Sequence, residues 1–155
     1  METRLIRLLL ESGAVVVCAG GGGVPVVRGS DGHLRGVEAV VDKDLTSAVL
    51  AEALDADALL VLTDVAAVMR DFGTPTQAPV ERATPSALRA LDAPAGSMGP
   101  KVNAVCRFVE LTGGMAAVGR LDDAAAILRG EAGTIVTPDG HYLGNPVADV
   151  LRAAG

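Results

Sequence analysis

The sequence predicts an α/β fold, and three observations carry that reading. Short runs of β-branched and aliphatic residues alternate with amphipathic stretches, the pattern of layered strands and helices. Two of the runs, AVVVCA (14–19) and ALLVLTDV (58–65), are almost continuously apolar, as expected of strands covered on both faces. Helix punctuation falls where the pattern changes: Gly13, Thr84-Pro85, Pro100 and Gly113-Gly114.

Taken in order, residues 3–12 read as a helix closed by Gly13, and 14–19 as a central strand broken by the four glycines at 20–23. Residues 24–41 read as extended segments around a turn at Asp31-Gly32, a strong hairpin signal. Asp42 caps a helix with Leu45, Ala48, Val49 and Ala53 on one face. The strand at 58–65 runs into a loop punctuated by Gly and Pro, VMRDFGTPTQAP, and Thr84 with Pro85 opens a short helix. Pro100 opens another, with Val102, Val105, Cys106 and Val109 at helical spacing. A strand at 115–119, a helix at 121–130 and a strand at 133–138 follow, and the tail from Asp139 reads as a loop with a short helix. There is no internal repeat and no linker.

With 155 residues, half of them apolar, the chain is one domain or a large piece of one. A mean hydropathy of +0.40 with 21% charged residues excludes disorder by composition. A net charge of -6 and a pI near 4.8 argue against a nucleic-acid or anionic-membrane partner, which requires a basic patch. One Tyr, two Phe and no Trp leave no platform for stacked bases. No uncharged apolar stretch reaches the ~20 residues of a membrane helix, and METRLIRLLLESG carries charges at helical spacing unlike a signal peptide, so a cytoplasmic location is expected. Cys18 and Cys106 lie in apolar segments and read as small core residues; His33 and His141 lack zinc-ligand spacing, and no structural metal is expected.

The chemistry-bearing residues stand out by position. Gly21, Gly22 and Gly23, in the glycine run after a strand, suit backbone amides approaching an anion, although a tight turn needs glycine equally. Neither a G-x-G-x-x-G starting at Gly20, which would need Gly at Pro25, nor a Walker-type loop is present. Of 13 basic residues only Lys43 and Lys101 are lysine, and each falls in the first turn of an expected helix. There the helix dipole disfavours a cation by roughly 0.3 to 1 kcal/mol, unless a bound anion reverses the sign. Asp44, beside Lys43, suits either orienting such a lysine or holding a phosphate-bound Mg²⁺. Solvated surface charges are the plain alternative for both lysines.

The segments AGGGGVPVV (19–27), GVEAVVDKDLTSAVLAEAL (36–54), LLVLTDVAAV (59–68), FGTPTQ (72–77) and GSMGPKVNAVCRFVELTGG (96–114) resemble, in order and spacing, the C-terminal half of carbamate kinase, of the amino acid kinase superfamily. The resemblance implies half of a three-layer α/β/α sandwich with a mainly parallel sheet, residues 1–138 forming the nucleotide-binding domain and 139–155 an unassigned tail. It implies phosphoryl transfer between ATP and carbamate, with ATP/ADP and Mg²⁺ as cofactors, a small-molecule substrate, and a place in arginine metabolism. By resemblance Lys101 contacts the ATP phosphates, Asp44 organises the catalytic lysines and Lys43 is its phosphate-contacting neighbour. Thr63, Asp64 and Val65 cradle adenine and ribose, with Met69, Met98 and Gly99 completing the nucleotide set. Gly21, Gly22 and Gly23 face the carbamate and transferred phosphate.

Two departures stand out. Ala66 and Met69 occupy positions where the family commonly has Asp and Tyr, which implies weaker nucleotide affinity. The N-terminal half that supplies the first glycine loop and further lysines has no counterpart here. The resemblance therefore implies little turnover alone, and association with an N-terminal half or with another copy. A non-catalytic nucleotide-binding remnant, a subunit of a split kinase and an inactive truncated product are the alternatives.

Overall fold

The computed structural model describes residues 2–91 and 98–141. Its centre is a four-stranded sheet of β3 (Ala58–Thr63), β7 (Met115–Arg120), β8 (Thr134–Val136) and β6 (Arg82–Ala83), in that spatial order. β3 and β7 are parallel, as are β6 and β8, while β7 and β8 are antiparallel. The sheet is thus mainly parallel, as expected.

Strand alternation divides the sheet's side chains between two clusters, because successive residues point to opposite faces. Leu59, Val61, Ala116, Val118 and Val136 join one cluster with the helices α2 (Lys43–Ala53), α3 (Pro85–Arg89) and α4 (Met98–Thr112). Met115, Ala117 and Ile135 join the other with Ile127 of α5 (Ala124–Leu128). Covering on both faces explains why the strands read as continuous apolar runs. α4 supplies the deepest part of the core, with Ala104, Val105, Cys106 and Phe108 fully buried.

Local signals are met where local chemistry suffices. The helix α1 (Thr3–Glu11) is followed by Gly13 at φ +83°, and β1 (Val26–Arg28) pairs antiparallel with β2 (Leu34–Gly36) around Gly32 at φ +80°. The Asp42 carboxylate accepts from the Leu45 N–H at 2.7 Å, and the Thr84 hydroxyl from the Ala87 N–H at 3.2 Å, capping α2 and α3.

Four expectations are corrected. Residues 14–19 form no strand: Val15 and Val17 are 95% and 96% exposed, and Cys18 is exposed as well. A β-branched run prefers extended backbone, but a strand exists only where a neighbour takes up its N–H and C=O groups. The buried face of α2 passes through Asp44 and Ala48, while Leu45 is 43% exposed, because an ion pair draws Asp44 inward. α4 starts at Met98, two residues before Pro100, which sits in the first turn where its missing N–H costs no helical bond. The stretch 121–130 divides into a 3-10 turn, Leu121–Asp123, and the short α5. The loop after β3 also carries a two-residue ladder, β4 (Met69–Arg70) with β5 (Ala78–Pro79), and β6 had no sequence signal. The expected tail helix lies outside the described residues.

Candidate functional site

Connectivity gathers the candidate residues at one end of the sheet. α2 returns to β3 through residues 54–57, and α4 to β7 through Gly113-Gly114. Connections so short make each helix antiparallel to the strand it feeds, and those strands are parallel to each other. The N-termini of both helices therefore lie at the C-terminal end of β3 and β7, the end where open α/β sheets bind ligands.

Lys101, in the first turns of α4, and Asp44, in the first turn of α2, meet there. The Lys101 Nζ donates to Asp44 Oδ2 at 3.0 Å, and both residues are 8% exposed. Lys43 Nζ stands 3.7 Å from the same oxygen, with its side chain 60% exposed. One carboxylate oxygen thus holds two ammonium groups, one buried and one open to solvent. A negative group in the first turn of α2 suits the helix dipole; the two lysines do not, unless an anion is present. Two ammoniums share one carboxylate oxygen where two helix N-termini converge, and helix N-termini are where phosphate is received. With Oδ2 shared by both ammoniums, orienting the lysines is the role that fits Asp44 better than holding a cation. Among the described residues, no group of three or more His, Cys, Asp and Glu side chains converges as a metal site.

The glycine loop is tied to the same helix end. Gly22 is buried at φ +133°, and a Cβ on it would collide with the Val41 carbonyl oxygen, so only glycine fits. The Thr46 hydroxyl, one turn into α2, is shared between the Gly22 carbonyl at 2.8 Å and the Asp42 carbonyl at 2.9 Å. Gly21 and Gly23 have open space where a side chain would be. The loop is therefore anchored at its middle residue and open on either side, directly before Lys43. Thr46 is a contact of the glycine loop that the sequence did not single out; its signal was the hydroxyl four residues after the Asp42 cap.

Thr63 closes β3, and its hydroxyl donates to the Asp64 carboxylate at 3.1 Å. Asp64 and Val65 are exposed beyond the strand end, and Met69 is half-buried on β4. Met98 and Gly99 open α4, Met98 packing partly against the core and Gly99 with free space beside it. The structure thus brings Lys43, Asp44, Lys101 and the loop around Gly22 into direct contact or immediate succession, and places Thr63, Asp64 and Val65 at the same sheet end. Cys106 lies in the core, donating towards the Pro85 carbonyl at 3.6 Å, and burial pushes its thiol up to about 11. It has no part in the site.

Residues 1–118 match the amino acid kinase family. Carbamate kinase of Rhizobium meliloti is 51% identical over 138 residues, 88% of this chain and 43% of that protein. Carbamate kinase of Haemophilus influenzae is 48% identical over 136 residues, 88% of this chain and 44% of its own length. The structure of carbamate kinase from Giardia lamblia bound to AMP-PNP superposes with a TM-score of 0.83 at 35% identity, covering 88% of this chain and 49% of that one. The chain spans less than half the length of these two sequence relatives.

Proposed function

Because the chain belongs to the amino acid kinase family, we propose that it is the C-terminal, nucleotide-binding half of a carbamate kinase-type phosphotransferase. The reaction is the reversible conversion of ATP and carbamate to ADP and carbamoyl phosphate. The observation that carries this reading is the Lys101–Asp44–Lys43 cluster where two helix N-termini converge at the end of two parallel strands. The relatives named carbamate kinase, and the one whose structure holds an ATP analogue, support the choice of substrate class.

In this reading ATP lays its phosphates over the N-termini of α2 and α4, and adenosine rests along Thr63, Asp64, Val65 and Met69, with Met98 and Gly99 at its phosphate side. A carbamate oxygen forms a bond to the terminal phosphorus as the bond to the ADP bridging oxygen breaks. Phosphoryl transfer of this type needs positioning and charge compensation more than covalent help. The Lys101 ammonium, held by Asp44, compensates the charge on the transferring group, and exposed Lys43 meets the phosphates from the solvent side. Gly21 and Gly23 offer backbone amides to the acceptor side, while Gly22 holds the loop in shape with its own N–H donated to the Ala19 carbonyl at 3.0 Å. Mg²⁺ bound with the nucleotide would supply further compensation of the phosphate charge.

The surface of residues 2–41 supports association with a complementary N-terminal half. Leu5, Leu8, Val15, Val17 and Val24 are all more than half exposed, an unusual concentration for a soluble surface. The same reading makes residues 1–138 one domain of a cytoplasmic protein of arginine metabolism. The test mixes the purified chain with a carbamate kinase N-terminal half and follows ATP formed from ADP and carbamoyl phosphate. Turnover that appears only with both halves, and is lost in Asp44→Ala and Lys101→Ala, supports the proposal. A mixture that stays silent although the halves associate overturns it in favour of a non-catalytic nucleotide-binding subunit.

A further inference from the structure

We propose that Thr134 is a positioning residue for the candidate nucleotide segment Thr63–Met69, because its hydroxyl is inserted between the Val68 N–H and the Val80 C=O and so fixes how that segment leaves the sheet. The inference rests on the nucleotide reading above for its functional consequence, and on geometry alone for the clamp.

β8 is buried throughout, and Thr134, opposite Val118 of β7, is 0% exposed. Valine has nearly the same shape, so packing does not call for a hydroxyl here. A buried hydroxyl requires partners. Its two partners are backbone groups far away in sequence: Oγ1 accepts from the Val68 N–H at 2.8 Å and donates to the Val80 carbonyl at 2.6 Å.

Those partners define what the hydroxyl does. Met69 pairs with Pro79 and Arg70 with Ala78, and the next step of the ladder is Val68 opposite Val80. One bond of that step is made, from the Val80 N–H to the Val68 carbonyl at 2.8 Å. In a regular antiparallel ladder the reciprocal bond would run from the Val68 N–H to the Val80 carbonyl. The Thr134 hydroxyl stands in its place and ties both strands to β8. The segment that follows Thr63 is therefore fixed at Val68 by β8, while Asp64 and Val65 stay exposed.

The experiment compares Thr134→Val, which keeps the shape and removes the hydroxyl, with Thr134→Ser, which keeps the hydroxyl. Ile135→Val, a core trim on the same strand, controls for stability alone. Affinity for Mg·ADP by calorimetry and amide exchange over residues 64–80 without nucleotide are read on all three. Thr134→Val should weaken Mg·ADP roughly fivefold or more, the scale of one buried hydrogen bond, while Thr134→Ser stays within about twofold. Exchange at Val68 and its neighbours should accelerate in Thr134→Val and not in Ile135→Val. Should Thr134→Val fail to fold, Thr134→Cys, whose thiol is a weak donor, serves in its place with the same expected direction.

Unchanged exchange over 64–80 in a folded Thr134→Val overturns the clamp. Unchanged affinity, or an equal loss in Ile135→Val, overturns the positioning role. Absence of Mg·ADP binding by the unsubstituted chain overturns the nucleotide reading and the positioning role with it, and the exchange result then decides the clamp separately.

Discussion

Helices α1 and α4 carry similar apolar spacing and meet opposite fates. On α4, Val102, Val105, Cys106 and Val109 are buried against the sheet and its neighbouring helices. On α1, Leu5, Leu8, Leu9 and Leu10 are exposed, and the helix buries no residue at all. The contrast extends to the flanking segments. Residues 42–137 hold the buried hydrophobic core, which begins at Ala48 among the described residues, whereas residues 2–41 place only Gly22 in the buried class. β1 and β2 form a two-stranded ladder exposed on every residue, a unit that is marginal without a further surface. Periodicity states which face of an element is apolar; whether that face is buried depends on a neighbour of matching shape.

The comparison is sharpest at single side chains. Phe108→Ala should cost ~3–5 kcal/mol in urea unfolding, because Phe108 is fully buried and its removal leaves a cavity. A loss under ~1 kcal/mol would mean that the core of residues 42–137 is far looser than its packing implies. Asp44→Ala should follow, at about 3 kcal/mol, because it leaves the Lys101 ammonium buried without its carboxylate. Lys43→Ala, at a side chain 60% exposed, should leave the unfolding midpoint nearly unchanged while weakening nucleotide binding.

Gly22→Ala comes next, at ~1–3 kcal/mol, through a backbone that disfavours any side chain and a contact with Val41 that cannot be relieved by a rotamer. Gly21→Ala, one residue away in open space, should be silent in the same unfolding experiment. Equal effects would show that the loop is not anchored at its middle residue.

Thiol titration reads the two regions directly. Exposed Cys18 should react quickly with a disulfide reagent at pH 8, and Cys106 only on unfolding. Burial raises the Cys106 thiol from 9.0 to about 11, so the native chain holds that proton after the unfolded chain has released it. Its contribution is present below pH 9 and is lost between pH 9 and about 11, and Cys106→Ala should flatten that part of the stability profile. The smallest effect is expected at Val17, 96% exposed: Val17→Asp should shift the isolated chain by less than ~0.5 kcal/mol. Loss of assembly with a complementary half in the same variant would show that the exposed apolar surface is an interface.

Much of the fold was legible because it depends on neighbours in sequence. Asp42 and Thr84 cap helices as their side-chain chemistry dictates, Gly13 and Gly32 adopt the positive φ their turns require, and the runs at 58–65 and 115–119 pair in parallel. The run at 14–19 misled, since a strand needs ladder partners that no local residue supplies. Of the candidate site, Lys43, Asp44, Lys101 and the glycines were proposed from their places at helix starts and after an apolar run, and the structure brings Lys43, Asp44 and Lys101 together.

Which of those residues meet was decided by tertiary structure. The contact between Lys101 and Asp44 spans 57 positions, the approach of Gly22 to Val41 spans a hairpin, and the Thr134 hydroxyl reaches back 66 positions to Val68. Caps, turns and strand preference follow from short-range sterics and hydrogen bonding written into a few consecutive residues. Burial of a charge pair, exclusion of a Cβ and insertion of a hydroxyl into a ladder depend on distances set only when the sheet and helices have packed, so the sequence names the participants and the packed structure determines their partners.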